Sequence, residues 1–207
     1  VGLLFGVFAQ SSRFCLRSAC IEFWNGRLEQ HVGVWLFVFG TALLFVQILM
    51  TDGAFTAAEV RQLASPGTLS GAAIGGILFG VGMILARGCA SRLLVLSATG
   101  NLRALTAGLV VTVVAQASLS GVLSPLRLSL SEFWVVDANV RNLMTYLPEG
   151  SGIVFGMLIL ALAAAIAFRS GLSWRRAALA AGVGLTVAAG WWFTSALSHV
   201  SFAPIVA

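Results

Sequence analysis

With 207 residues, 59% of them hydrophobic and only 9% charged, the chain cannot cover a water-facing surface, since soluble domains carry about 25% charged residues. Twelve cationic side chains against seven acidic ones give a formal net charge of +5, and arginines flanking membrane helices account for that sum with no nucleic-acid partner. These values, with a mean hydropathy of +0.99, predict an all-α polytopic membrane protein, a helical bundle whose partner is the lipid bilayer.

In chain order, residues 2–10 are apolar but too short to cross alone, so a truncated or dipping helix is expected. Residues 11–27 form a polar connector with Arg13, Arg17 and Arg27 around Cys15 and Cys20. A clean span is predicted over 32–50, then a polar loop over 51–66 with Asp52, Glu59 and Arg61. Residues 69–86 predict a second span, in which Gly71-xxx-Gly75 and Gly76-xxx-Gly80 allow close approach by neighbouring helices. The piece 91–99 is too short to cross and too apolar for an ordinary loop; a re-entrant or interfacial segment fits, with protein or water covering its backbone. Further spans are predicted over 105–123, 153–168 and 177–197. Between the first two, Phe133, Val136, Val140, Leu143 and Leu147 recur at helical spacing, and Trp134 and Tyr146 suit the headgroup level, so 131–147 predicts an interfacial helix. Gly26 and Gly100 are expected at turns, and Asn101 as a helix cap.

The chain repeats itself. Gly2, Gly6, Arg13 and Cys15 superpose without gaps on Gly76, Gly80, Arg87 and Cys89, an offset of 74 residues throughout. A third copy starts at Gly152 but carries Ala163 and Ala165 where the others carry Arg and Cys. Repeat units over about 2–75, 76–151 and 152–207 follow, within a single transmembrane domain. The first residue is Val1 rather than Met, which reads as part of a longer chain; no basic n-region or A-x-A site marks a cleavable signal. Three arginines follow the first helix of each copy, and the positive-inside rule places those connectors in the cytoplasm. The copies are parallel if each first helix crosses, and inverted if the cysteine-tipped pieces only dip.

An arginine costs about 2.5–3.5 kcal/mol at the centre of a membrane helix, so one placed two residues before a thiol, twice, asks for a reason. A guanidinium offers a planar fork of donors to an oxyanion, and a thiol offers soft, polarisable sulfur. Together they suit an oxyanion carrying a terminal sulfur. The competing reading is that Arg13 and Arg87 snorkel to headgroups and the cysteines simply pack. Cys20 faces Leu94 in the second copy and reads as structural. Gln10, Gln47 and Gln116 either line a path or bond between helices, and Gly88 adjoins Cys89 on the candidate path. The three cysteines make no disulfide framework. They lack C-x-x-C spacing and lie far in sequence from His31 and His199, so neither metal nor cofactor is expected.

The run from Gly6 to Cys15, G-V-F-A-Q-S-S-R-F-C, and the run from Gly80 to Leu105, with R-G-C-A-S-R and T-G-N-L-R, resemble the YeeE/YedE sulphur-transport family of bacterial and archaeal inner-membrane proteins. The resemblance implies a multi-pass helical bundle with short helices dipping inward and cysteines at their tips. It implies passage of thiosulfate by transient thiol–sulfur hydrogen bonds, with no covalent turnover, so not an enzyme. Cys15 and Cys89 take the positions of two family cysteines; the family's third, in its later half, has no counterpart after Cys89. The family's pseudo-symmetric halves also speak against the parallel reading of the repeats. The site expected is Cys15, Cys89, Arg13, Arg87, Gln10 and Gly88, with a cytoplasmic sulfur-carrier protein as a candidate partner. The alternative is a membrane-embedded thiol enzyme or sulfur carrier with a persulfidated cysteine; a third reading is an assembly subunit with packing glycines only.

Overall fold

A computed structural model describes residues 1–54, 67–136, 146–148 and 150–201, with side chains up to 196. The helices are α1 (Gly2–Ser12), α2 (Leu16–Trp24), α3 (Gln30–Thr51), α4 (Leu69–Leu85), α5 (Ala90–Ala98), α6 (Leu102–Ser120), α7 (Ser124–Ser131), α8 (Ser151–Ser170) and α9 (Trp174–Ser201). Two dipeptide strands, β1 (Gly67–Thr68) and β2 (Val135–Val136), pair antiparallel. Among the described residues, five stretches are long and apolar enough to cross a membrane: Gln30–Thr51, Leu69–Ala98, Leu102–Ser120, Ser151–Ser170 and Trp174–Ala196. The chain is an all-α polytopic membrane protein.

The residues group into two units. The first holds α1, α2 from Ser18 onward, α3, α8 and α9. Its centre is α3, on which α8 and α9 both pack. Glycines set the approach: a Cβ on Gly156 would stand 2.9 Å from the Leu44 backbone, and one on Gly40 would meet Ile159 and Leu160 at 3.0–3.1 Å. Ala19, Val32 and Ile166 form a buried cluster against Trp35 and Leu36, and Trp35 stacks on Phe39 at 5.2 Å. The Phe8 ring of α1 lies against Gly182 of α9. Glu22 of α2 accepts the His31 and Val32 amides at 3.0 Å and pairs with the His31 ring, placing a carboxylate at the positive end of α3. At the same end of α3, Arg176 Nη1 donates to Gln30 Oε1 at 2.6 Å, and Gln30 Nε2 donates to the Ser170 carbonyl, at the end of α8, at 3.3 Å.

The second unit holds Cys15–Arg17, α4, α5, α6, α7 and the strand pair. Here Asn101 Oδ1 accepts the Ala104 amide at 3.1 Å, the cap expected from its place before α6. Ser70 of α4 donates to the Ser131 carbonyl at 3.0 Å and accepts from the Trp134 amide at 3.2 Å, tying α4 to the end of α7.

Three expectations change. The interfacial helix over 131–147 does not form as drawn. The helix α7 comes earlier, started by a proline in its first turn, and Glu132–Trp134 is a single 3-10 turn running into β2. Val135 and Val136 find backbone partners in Thr68 and Gly67, and that pairing overrides the helical spacing; residues 137–145 lie outside the described residues. The connector over 11–27 contains the helix α2. The Gly-xxx-Gly expectation on α4 finds little contact: a Cβ on Gly71 would meet Thr68 and Ser131, whereas Cβ atoms on Gly75, Gly76 and Gly80 would meet nothing within 4 Å, and the close glycine approach falls instead at Gly152 and Gly156, against α3.

Candidate functional site

The first two copies share a backbone as well as a sequence. Arg13 ends α1 at φ 56°, and Arg87 follows α4 at φ 57°; both are left-handed. In the first copy the Arg13 amide donates to Gln10 at 3.2 Å and the Phe14 amide to Ala9 at 3.1 Å. In the second the Arg87 amide donates to Ile84 and the Gly88 amide to Met83, both at 3.2 Å. Each is a Schellman cap, whose left-handed position usually holds glycine. The 74-residue offset persists beyond it: α2 and α5 have nine residues each and start directly after Cys15 and Cys89. Both short helices then close on a left-handed glycine, Gly26 at φ 69° and Gly100 at φ 88°. The third copy runs on as the uninterrupted helix α8, with Ala163 fully buried where the others break.

Left-handed geometry costs a residue with a Cβ about 1–2 kcal/mol, and glycine's extra backbone entropy gives part of that back. Arg87→Gly is therefore expected to raise stability by roughly 0.5–1 kcal/mol, read as a higher midpoint in thermal unfolding of the detergent-solubilised protein. A lowered midpoint would show that the guanidinium itself holds the fold.

Directly after the breaks lie the thiols. Cys89 is the N-cap of α5, in extended conformation, and only 4% exposed. Its sulfur hydrogen-bonds with the Cys15 thiol and receives the backbone amides of Arg92, in the first turn of α5, and Leu16, at the start of α2. Cys15 is half-buried, and all three cysteines are free. Two helix N-termini thus converge on two sulfurs. Exposed N–H groups and the positive end of the helix dipole make each terminus attractive to an anion, and the sulfurs add soft, weakly hydrogen-bonding contacts.

Of the six residues expected at the site, the structure brings Cys15, Cys89 and Gly88 together within the second unit. Gly88 is buried beside Cys89, and a Cβ there would sit 3.4 Å from Leu93. Arg13 and Arg87 are exposed, the first on the first unit and the second on the second; Gln10 is exposed on α1. Cys20 is exposed on α2. Gln47 lies against Gly152, a helix contact, and Gln116 donates to Ser120 of its own helix at 2.9 Å. Among the described residues no group of three or more His, Cys, Asp or Glu side chains could hold a metal.

Sequence reasoning passed over two side chains, Arg17 and Arg92. Each is half-buried in the first turn of a short helix that a cysteine precedes. The signal was present: the copies read Arg17-Ser18 and Ser91-Arg92, the same pair in swapped order.

No curated protein and no solved structure matches this chain. The family model for sulphur transport matches residues 11–206, nearly the whole sequence and both cysteine-bearing copies except the start of the first. With its membrane-crossing helices, the chain belongs to the YeeE/YedE sulphur-transport family and is a sulfur-related membrane transporter.

Proposed function

We propose that the chain is an inner-membrane permease for a small sulfur oxyanion, thiosulfate before others, which passes the pair Cys15 and Cys89. The observation that carries this reading is the meeting of two thiols at two helix N-termini, built by a duplicated cap, helix and turn. Thiosulfate has the matching halves: charged oxygens for the positive helix ends, and a terminal sulfur for the thiols. Hydrogen bonds to such a charged ion, worth about 1.5–3 kcal/mol each, hold it briefly and let it go, as passage requires. α1 and α4, which end just before the two thiols, serve as the dipping helices of the repeat. Arg13, Arg87 and Gln10 gather anions at the surface, and Gly88 leaves the thiol unobstructed. On the cytoplasmic side a sulfur-carrier protein is the receiver.

Cells expressing the protein are expected to take up labelled thiosulfate, with excess unlabelled thiosulfate competing and excess sulfate not, because sulfate lacks the soft end. Equal competition by sulfate would remove the thiols from the selectivity. A stable added sulfur mass on Cys15 or Cys89 after exposure to thiosulfate would instead mark the sulfur-carrier alternative.

A further inference from the structure

Arg17 is the group that the site as drawn leaves unexplained. It stands two residues after Cys15, in the first turn of α2, and groups with the second unit together with Cys15 and Leu16. Its Nε is shut off from solvent and has no hydrogen-bond partner among the described residues. No carboxylate balances it either: the ion pairs among the described residues are Arg27 with Glu29 and Glu22 with His31. Glu22, on the same helix, is committed to the amides that open α3.

A guanidinium stays charged under all ordinary conditions, and a buried charged donor without an acceptor is among the costlier features a fold can carry. Such a donor is open to an acceptor that comes and goes; Arg176 Nε is enclosed in the same way, but its guanidinium already donates through Nη1 to Gln30. The Nε–H and Nη–H edge of arginine presents two parallel donors, spaced for two oxygens of one oxyanion. Arg92 stands at the same level of the other short helix, half-buried, with its backbone amide on the Cys89 sulfur. Arg13 and Arg87, the arginines of the repeated motif itself, are exposed.

We infer that Arg17, joined by Arg92, is the anion-binding residue of the Cys15–Cys89 pair, holding the oxygens of a sulfur oxyanion while its terminal sulfur faces the thiols. This rests on the proposed function and sharpens it: the two inner arginines make the site selective for anionic over neutral sulfur compounds. Arg13 and Arg87 do not contact the bound ion.

The test uses the 207-residue chain carrying Cys20→Ala, whose remaining cysteines are Cys15 and Cys89. Its rates of modification are compared for two methanethiosulfonate reagents of similar size, one bearing a sulfonate and one neutral. The parent is expected to favour the anionic reagent, and Arg17→Gln to lower the anionic-to-neutral rate ratio on the order of tenfold. An unchanged ratio in Arg17→Gln overturns the inference. Arg17→Lys keeps the charge and loses the fork, and guards against a folding failure of the glutamine variant. It is expected to keep most of the ratio while raising the half-saturating thiosulfate concentration about tenfold at a similar maximal rate; an unshifted concentration counts against the inference. The labelling ratio does not depend on thiosulfate being the cargo, so a parent protein that fails to take up thiosulfate defeats the proposed substrate and leaves Arg17 to be decided by labelling.

Discussion

Gly184→Val is expected to destabilise the fold severely and to lower the yield of folded protein. Gly184 is buried on α9 where it crosses α3. A Cβ there would overlap the Thr41 hydroxyl and stand 2.6 Å from the Val38 carbonyl and 2.8 Å from the Ala42 amide. Two of those three atoms are backbone and cannot swing aside. Thr41 is itself anchored, donating to Phe37 at 2.6 Å and to Val38 at 3.1 Å. Overpacking a tight core costs about 1–3 kcal/mol and sometimes more, against a total stability of roughly 5–15 kcal/mol, and a branched side chain against backbone belongs at the upper end. The measurement is the monodisperse fraction and thermal midpoint of the detergent-solubilised protein. Gly80→Ala supplies the contrast, since a Cβ there meets nothing within 4 Å. Exchanging helical glycine for alanine at that position is expected to leave stability unchanged or to raise it by up to about 1 kcal/mol. Equal damage at both positions would contradict the packing described around α3.

Helical glycines therefore do different work at different positions, and this marks how far the sequence is legible. The long spans are, because an apolar run of membrane length has few other fates: the span expected over 32–50 is α3, and those over 153–168 and 177–197 are α8 and α9, each a few residues longer. Which glycine touches a neighbour is not, since Gly-xxx-Gly reports that approach is allowed, not that a helix comes. The stretch after α7 failed for a related reason: Phe133 and Val136 keep helical spacing, but the strand partner that captures Val135–Val136 lies about 68 residues upstream. The short helix α2 could have been read. Its twin α5 is legible as an apolar segment, and carrying the 74-residue offset back predicts a helix over 16–24.

At the site, the repeat singles out Cys15 and Cys89 as equivalent positions. Equivalence is not proximity, and a sequence does not say that two copies place their cysteines against each other; the hydrogen bond between the thiols is a product of the fold. The arginines mislead because the ones that repeat in register in the first two copies are the more visible. Arg13 and Arg87 repeat in register, yet each occupies the left-handed position of a cap and is exposed. Arg17 and Arg92 are displaced by one residue between the copies, so a strict superposition does not pair them, although both lie half-buried beside a thiol's helix.

The largest functional effect is expected at the thiols. Cys89 is almost fully enclosed, and its sulfur is the point on which Cys15 and the two amides converge. Cys89→Ala removes the soft contact and leaves the amides without their central acceptor. A hydrogen bond to a charged ligand is worth about 1.5–3 kcal/mol, so uptake at limiting substrate should fall roughly ten- to a hundredfold. Cys15→Ala should act in the same direction, because the same convergence loses its other sulfur. Cys20→Ala, at an exposed position with leucine in the second copy, should behave as the parent. The decisive measurement is the initial rate of labelled thiosulfate uptake in cells bearing Cys89→Ala and Cys20→Ala at matched membrane levels: a rate a tenth or less of the parent's for the first, beside an unaltered rate for the second, is predicted, and equal rates for both would contradict a path through the paired thiols.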